Sequence, residues 1–232
     1  MILYGVGVGP GDPDLITIAA RRALDDADVV FVPISASDHR SIAGDIYSQL
    51  GCGKRAYPFL FPMTNDADVR DGEILRQIGG YESLWRNAGK VALPVIGDSA
   101  LFATAAHLYR VWRGVCPDLQ LKLLPGVSAH SLASSIVNEF LVIGTERMAI
   151  LPGGRGYASL AEAMKTSECV ALYKPSAVGA ELPKLVESTG PWGKAVRVHR
   201  AGLPGQTVVC GDEACSPTDD YLSILLLWRE RA

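Results

Sequence analysis

A glycine-rich turn near the start of the chain restricts the ligands that its backbone could bind. Residues 3–17 begin as a short β-type run and then place glycines at 5, 7, 9 and 11. A strand that enters such a turn before a helix usually brings backbone close to a small ligand. Pro10 and Asp12 stand where a dinucleotide fingerprint needs its third glycine, and no Gly-Lys-Ser/Thr follows for a phosphate-binding P-loop. Because Pro10 has no N–H and Asp12 would repel a pyrophosphate, we expect a cationic or neutral ligand.

Three further segments place glycine or polar residues where a predicted strand ends. They read Val-Ile-Gly-Asp-Ser-Ala-Leu-Phe at 95–102, Leu-Pro-Gly-Val-Ser-Ala at 124–129 and Ala-Leu-Tyr-Lys at 171–174. Loops carried by a rigid α/β scaffold are common binding sites. We therefore treat these three segments and residues 7–13 as four candidate ligand loops.

The elements that must position these loops alternate along the chain, which predicts an α/β fold. The predicted strands cover 2–8, 29–32, 91–96, 119–124, 148–151, 168–173, 195–199 and 221–229. The predicted helices cover 15–27, 41–50, 66–88, 100–112, 128–136, 157–164 and 177–189, and 55–63 is predicted to be extended. The β-α-β opening predicts a parallel strand pair. Pro125-Gly126 marks the predicted boundary between two α/β domains, 1–124 and 125–232.

Composition is typical of a globular protein without a nucleic-acid or membrane partner. Of 232 residues, 48% are hydrophobic and 20% are charged, and the net charge of −3 comes without a basic run. The five cysteines form no C-x-x-C pair, and we recognise no signal peptide, so we expect reduced thiols in a cytoplasmic protein. The apolar run 221–228 is too short to span a bilayer.

In this order, the four loops resemble the motifs of the tetrapyrrole (corrin/porphyrin) methyltransferase family. Those motifs are a GxGPGD loop, a GDP-x-x-Y/F loop, a PGxSS turn and an apolar strand ending near Met or Lys. Further features are similar to the branch that methylates carbon-20 of precorrin-2 or cobalt-factor II. These are the strand end Val-Phe-Val-Pro at 30–33 (as Val30, Phe31, Val32 and Pro33), Pro-Phe-Leu-Phe-Pro-Met at 58–63, residues 144–152 and the apolar residues from 221.

The resemblance implies two α/β domains with the active site in the cleft between them, and a homodimer. It implies S-adenosylmethionine as methyl donor, with S-adenosylhomocysteine as product. Carried over position by position, the implied cofactor contacts are Pro10, Ile96, Gly97, Asp98, Leu101, Ser128, Ala129, Lys174 and Gly202. The apolar segments 60–63 and 221–228 would permit pairing of two subunits.

Several of these residues also have ordinary structural explanations. Asp98 either accepts hydrogen bonds from the cofactor's amine or ribose hydroxyls or caps the helix predicted from residue 100. For Asp12 we favour a helix cap, and Ser128 could also be one. Lys174 is an unexpected partner for a cationic cofactor, so it could contribute backbone, its aliphatic stem or a contact to a substrate carboxylate. Ser99 departs from the family motif, which has proline there, and could loosen that turn.

The implied substrate carries eight carboxylates, so cationic side chains should line its binding surface. The candidates are His39, Arg40, Lys54, Arg55, Arg147 and Arg155. Each could instead be a plain surface charge. His39 or His130 could remove the proton from the methylated carbon, although a single histidine is more often structural.

Methyl transfer from a sulfonium to carbon is an in-line displacement in which the electron-rich tetrapyrrole is the nucleophile. The protein needs no nucleophilic Ser or Cys and mainly positions the reactants, so we expect no metal site and no catalytic triad. The alternatives are another branch of the family (uroporphyrinogen III, a later precorrin, or diphthine synthase), an NAD-dependent oxidoreductase and a non-catalytic S-adenosylmethionine-binding protein.

Overall fold

The computed structural model describes residues 1–35 and 41–231, which form two compact units. The first unit is Met1–Ser128 and the second is Ala129–Ala232. The predicted boundary between residues 124 and 125 falls shortly before this division. Each unit has its own sheet, and the two are described in turn.

The first unit is a five-stranded, fully parallel sheet in the order β3-β2-β4-β1-β5. Its strands are β1 (Ile2–Gly7), β2 (Val29–Ser35), β3 (Ala56–Phe61), β4 (Lys90–Val95) and β5 (Gln120–Leu124). Its helices are α1 (Ile18–Asp26), α2 (Ile42–Gln49), α3 (Ala67–Gly80), α4 (Glu82–Trp85) and α5 (Ala105–Val115). The α/β arrangement is confirmed for this unit. The predicted pairing of its first two strands is wrong, because β4 lies between β1 and β2, which are parallel but not hydrogen-bonded to each other.

Helices cover both faces of this sheet, which explains why its central strands are continuously apolar. On one face, Leu3 and Phe31 pack with α3 and α5 residues, including the fully buried Trp112. On the other face, Val6 packs with α1 and α2 residues, including Leu24. Because β1 is buried on both faces, its position is closely determined.

In the first unit, two helices begin three and five residues later than the sequence predicted, and both differences lengthen a candidate ligand loop. Pro13–Leu15 is a 3₁₀ turn whose first free N–H, that of Asp14, donates to Asp12 Oδ1 at 2.9 Å. Helix α1 then begins at Ile18, where the Thr17 hydroxyl oxygen accepts from Ala20 N. Helix α5 begins at Ala105 rather than at residue 100, so residues 96–104 form a loop.

Side chains close the outer edge of β3. The segment predicted to be extended is this strand, and it lies at the end of the sheet. Pro58 has no N–H, and its carbonyl oxygen accepts from Tyr81 Oη at 2.7 Å. The Gln77 amide donates to the Leu60 carbonyl at 2.7 Å and accepts from Leu60 N at 2.5 Å. The edge is therefore not open to a further strand.

The second unit is a mixed sheet in the order β6-β7-β10-β8-β9, in which only β6 and β7 pair in parallel. Its strands are β6 (Met148–Pro152), β7 (Cys169–Tyr173), β8 (Lys194–His199), β9 (Thr207–Cys210) and β10 (Ser223–Trp228). Its helices are α6 (Ala129–Ile136), α7 (Tyr157–Lys165) and α8 (Leu182–Thr189). The central strand β10 is buried throughout, so most of the apolar run 221–228 is unavailable for pairing of subunits.

The cysteines are unpaired, and Cys169 in β7 is fully buried. Burial raises the pKa of its thiol to about 12, so it stays protonated and unreactive at neutral pH. Within residues 1–35 and 41–231, no helix combines the length and the apolar character needed to cross a bilayer.

Replacing Gln77 by Leu tests the closed edge. The substitution leaves the N–H and carbonyl of Leu60 without their amide partner, so we expect a loss of about 1–3 kcal/mol in the free energy of unfolding. Chemical denaturation followed by circular dichroism measures it. The control is Val69→Ala on the same helix, an exposed side chain whose loss should change the stability by at most about 0.5 kcal/mol. Equal stabilities for the two variants would contradict this account.

Candidate functional site

Three of the four candidate loops meet at one edge of the first unit. Strand β1 lies between β4 and β5, and all three run in the same direction, so the loops that follow them are neighbours. Gly97 N donates to Gly9 O at 2.8 Å, and Gly9 N donates to Gly97 O at 3.3 Å. We call the end of a sheet at which its parallel strands finish the carboxyl edge of that unit. It differs from the outer edge, which is formed by a terminal strand such as β3.

The glycines at this edge allow backbone to pack directly on backbone. A Cβ on Gly7 would lie 2.6 Å from Gly126 N and 2.7 Å from Gly97 O. A Cβ on Gly126 would overlap the Gly97 carbonyl oxygen and lie 2.9 Å from the Gly7 α-carbon. Neither position accepts a side chain, because the obstructing atoms are main chain and cannot rotate away.

Two hydroxyl groups tie the end of β5 to the other loops. Ser99 is 4% exposed, and its hydroxyl donates to Leu124 O at 2.7 Å. Thr17 donates to Pro125 O at 3.1 Å. Ser99 therefore fastens the turn that its departure from the family motif was expected to loosen, since proline could not make this bond.

Asp98 caps a turn and not a helix. Its Oδ1 accepts from Ala100 N at 2.8 Å, and the helix that it was expected to cap begins only at Ala105. The half-buried carboxylate lies in the same loop as Ile96, which is 39% exposed, and the half-buried Leu101. Pro10 is buried in the first loop. The edge therefore offers the carboxylates of Asp98 and the exposed Asp12, together with apolar side chains and backbone.

The second unit has a carboxyl edge of its own, formed by the ends of β6, β7 and β8 beside the start of β10. Lys174 follows β7, and its backbone N donates to Ser223 O at 3.2 Å. A Cβ on Gly153, after β6, would overlap the Lys174 carbonyl oxygen. Gly202 follows β8, and its N donates to Gln206 Oε1 at 2.8 Å.

Helix α6 is joined to this second edge through Tyr173. The Tyr173 hydroxyl lies 2.8 Å from His130 Nδ1 and accepts from His130 N at 3.3 Å. Ala129 is the first residue of this helix, directly after the buried Ser128. His130 is thus held at the edge by a specific contact, which a plain solvated histidine would lack.

Strained backbone marks both edges. The non-glycine residues at positive φ within the described parts of the chain are Phe102, Asn138, Lys174 and Arg200. Asn138 lies just beyond α6, where this conformation is common. The other three follow β4, β7 and β8, and each costs about 1–2 kcal/mol relative to a relaxed backbone. Strain of this kind concentrates at functional sites.

Comparison with known proteins shows the family of this chain. The model of the family described as Tetrapyrrole (Corrin/Porphyrin) Methylases matches residues 2–214. The chain belongs to this family. It is 30% identical over 234 residues to a probable cobalt-precorrin-2 C(20)-methyltransferase of Methanocaldococcus jannaschii, covering 98% of this chain and 96% of that protein. A precorrin-2 C(20)-methyltransferase of a Sinorhizobium species is 28% identical, covering 99% of this chain and 96% of that protein.

A solved methylase structure supports the fold. The uroporphyrin-III C-methyltransferase of Thermus thermophilus complexed with S-adenosylhomocysteine superposes with a TM-score of 0.68 at 20% identity. The match covers 98% of this chain and 96% of that one. The predicted methyltransferase-type α/β fold is confirmed.

The predicted substrate-binding residues fall in different places. Arg155 is exposed in the loop after β6, at the carboxyl edge of the second unit. Lys54 donates to Ala27 O, and Arg55 stacks on the Tyr57 ring, both at the opposite edge of the first sheet, where β2 and β3 begin. The remaining candidates, His39 and Arg40, lie outside the described residues.

Arg147 has a partner of its own at the start of β6. Its guanidinium and backbone N–H bind the Glu168 carboxylate, with Nη2 2.9 Å from Oε1. These bonds lower the pKa of Glu168 to about 2. This ion pair gives Arg147 a structural role in the methylase.

Sequence reasoning missed Thr17 and Arg200, and it named Phe102 only as the last residue of the candidate loop 95–102. The Thr17 cap was detectable, since threonine before an apolar-periodic segment is a helix-start signal. The strained φ angles of Phe102 and Arg200 had no signal, because no residue type in either segment requires them. No group of three His, Cys, Asp or Glu residues suited to a metal occurs in 1–35 and 41–231.

Gly126→Ala should disrupt the methylase edge. The added Cβ overlaps fixed backbone, so we expect a loss of about 1–3 kcal/mol in stability and much weaker binding of S-adenosylhomocysteine. Calorimetry of unfolding and of ligand binding measures both effects. The control is Gly53→Ala, where an added Cβ meets nothing within 4 Å. Parent-like affinity in Gly126→Ala would mean that the loop packing is not needed for the ligand.

The Arg147–Glu168 pair predicts a pH dependence of stability. Because the folded-state pKa of Glu168 is lowered from 4.5 to about 2, its stabilising effect is present above about pH 4.5 and is lost as the pH falls toward 2. Glu168→Gln should therefore lower the melting temperature at pH 6, by an amount that shrinks on acidification. Glu162→Gln, an exposed carboxylate on α7, is the control. A difference that stays constant with pH would contradict the assignment.

Proposed function

We propose that this methylase transfers a methyl group from S-adenosylmethionine to carbon-20 of precorrin-2 or its cobalt-containing counterpart, in cobalamin biosynthesis. The observation that carries the proposal is the full-length match to two relatives named for that reaction, each covering at least 98% of this chain. The carboxyl edges described above support it, because they hold the residues expected to contact the cofactor.

The first edge fits S-adenosylmethionine by the chemistry of its groups. Asp98 supplies a carboxylate that can accept from an amine or from ribose hydroxyls, and it attracts a cationic ligand. Gly97, at φ +73°, opens the backbone to close approach. Pro10, Ile96 and Leu101 offer apolar contact to an adenine ring or a methylene chain.

The remaining proposed contacts lie around the start of α6 and at the edge of the second unit. Ser128 and Ala129 lie at the start of α6, and Ala129 can contribute only backbone and its methyl group. Gly202, at φ +74°, again exposes backbone. For Lys174 we propose that the main chain, rather than the ammonium, meets the cofactor, since like charges repel.

When bound, S-adenosylmethionine supplies an electrophilic methyl group on its sulfonium. Transfer would form a bond from that methyl to the tetrapyrrole carbon and break the sulfur–methyl bond, leaving S-adenosylhomocysteine, and the proton of that carbon would pass to a base or to solvent water. The chain's residues therefore have to hold two ligands at about 3–3.5 Å between the reacting atoms and exclude competing geometries. Buried glycine contacts and bonded hydroxyls make the first edge rigid enough for this purpose.

Of the cationic residues, we propose Arg155 as a partner for a substrate carboxylate, because it is exposed at the carboxyl edge of the second unit. Lys54 and Arg55 stay predictions from the sequence, and their place at the opposite edge of the first sheet gives them no support. We also propose that the enzyme is cytoplasmic and that it is a homodimer. Light scattering of the purified protein would test the dimer.

Anaerobic incubation with S-adenosylmethionine tests the reaction, with precorrin-2, cobalt-precorrin-2 and uroporphyrinogen III in parallel. We expect one methyl group to be added to one of the first two substrates, detected by mass spectrometry and located at carbon-20 by NMR. Methylation of uroporphyrinogen III alone would assign another branch of the family. Binding of S-adenosylmethionine without any transfer would favour a non-catalytic protein.

Asp98→Ala tests the cofactor edge. Losing a charge-assisted acceptor should weaken S-adenosylhomocysteine binding about tenfold or more, as measured by calorimetry. Asp98→Asn keeps an acceptor for Ala100 N but removes the negative charge, so it distinguishes the effect of the charge on affinity from the effect of the turn. Asp118→Ala removes an exposed carboxylate elsewhere as a control. Unchanged affinity in Asp98→Ala would reduce Asp98 to a turn residue.

A further inference from the structure

Two cationic residues in the second unit occupy positions where glycine would be relaxed. Lys174 has φ +53° and Arg200 has φ +52°. In the loop that follows Arg200, the chain uses glycine at the same kind of position, with Gly202 at +74° and Gly205 at +82°. Glycine is the ordinary choice where only the backbone matters. A strained lysine and a strained arginine therefore indicate that their side chains are needed.

The sheet places these two residues on either side of the same strand. Lys174 N donates to Ser223 O at 3.2 Å, and Arg200 N donates to Leu222 O at 2.7 Å. Their strands, β7 and β8, both pair with β10, so they are separated by one strand. With adjacent strands about 4.8 Å apart, the two backbones are roughly 10 Å apart at the carboxyl edge.

Each side chain keeps its charge at the protein surface. Lys174 Nζ lies 4.5 Å from the centre of the Tyr221 ring, which is 47% exposed. Arg200 is exposed, and Nε, one of its N–H donor atoms, donates to Pro204 O at 3.0 Å. A cationic group with one such contact can still bind an anionic ligand at this carboxyl edge.

The charges nearby leave the pair cationic. Asp220 is engaged, since its Oδ1 accepts from Leu222 N at 2.9 Å and its Oδ2 lies 3.3 Å from His199 Nδ1. The buried Arg197 donates to His199 Nε2 at 3.0 Å and adds positive charge beneath the edge. Asp219 is exposed, so Asp219 and Asp220 oppose the three cations Lys174, Arg197 and Arg200.

We propose that Lys174 and Arg200 form two carboxylate-binding positions for the acidic side chains of the tetrapyrrole substrate. This inference rests on the proposed function, because it names the residues of that substrate site. Guanidinium binds a carboxylate with two parallel hydrogen bonds, and ammonium binds it as a point charge. A spacing of roughly 10 Å suits two carboxylates on different parts of a macrocycle better than one shared group.

Uroporphyrin III, an unreactive tetrapyrrole with eight carboxylates, is the binding probe, and porphyrin fluorescence gives its Kd. For Arg200→Gly and Lys174→Gly we expect about tenfold weaker porphyrin binding with a shallower salt dependence. Relief of strain should keep the melting temperature at or above the parent value. In Arg200→Gly the Kd of S-adenosylhomocysteine should stay within about twofold, since Arg200 is not assigned to the cofactor. Arg200→Lys should restore most of the binding, and Lys165→Ala is the exposed cationic control.

Several results would overturn the proposal. They are parent-like porphyrin binding in both glycine variants, a loss of S-adenosylhomocysteine affinity in Arg200→Gly equal to its loss of porphyrin affinity, or a large fall in melting temperature, which would make the side chains structural. Failure of the parent protein to bind uroporphyrin III would do the same.

If the parent protein binds the porphyrin through Arg200 but does not methylate precorrin-2, the site stands and the proposed reaction fails. If it methylates precorrin-2 while the glycine variants retain parent KM values, the reaction stands and the site fails.

Discussion

Direct backbone contact among Gly7, Gly97 and Gly126 is the constraint on which the ligand edge of the first unit depends. Because β1 lies between β4 and β5, the loops after all three strands must fit into one small space. No side chain can stand at Gly7 or Gly126 without meeting main-chain atoms. The hydroxyls of Ser99 and Thr17 then fasten the end of β5. The position of Asp98 follows from this packing and not from a helix.

The order of the four loops was sufficient to predict the family and the fold, because each motif lies at the end of an apolar strand. The sequence did not show where each loop ends and the following helix begins. Asp98 before an apolar-periodic segment resembles a helix cap, yet five residues of irregular backbone separate it from the helix at Thr104 and Ala105. Local signals describe a favourable cap but contain no information on the tertiary contact of Ser99 with Leu124.

In the second unit, the sequence did not predict strand β9. Strand β9 is short and exposed at the sheet edge, so Thr207 to Cys210 carries little apolar alternation. Lys54 and Arg55 in the first unit were selected by charge alone, and parallel strand direction places them at the end of the sheet opposite the loops, so their role stays a prediction. Direction is a property of pairing and is weakly encoded in any one segment.

The two units use different physical means at their carboxyl edges. The first relies on glycines, the carboxylates of Asp12 and Asp98, and apolar side chains, which suits a ligand that is neutral or cationic. The second keeps Lys174 and Arg200 at φ angles that glycine would adopt without strain. Strained conformations persist only when surrounding structure over-determines them, and here the bonds to Leu222 and Ser223 do so. A buried, fully paired β10 can hold two unfavourable residues in place because its own stability does not depend on them. The strain is therefore best understood as a cost of presenting positive charge at a fixed spacing to an anionic ligand.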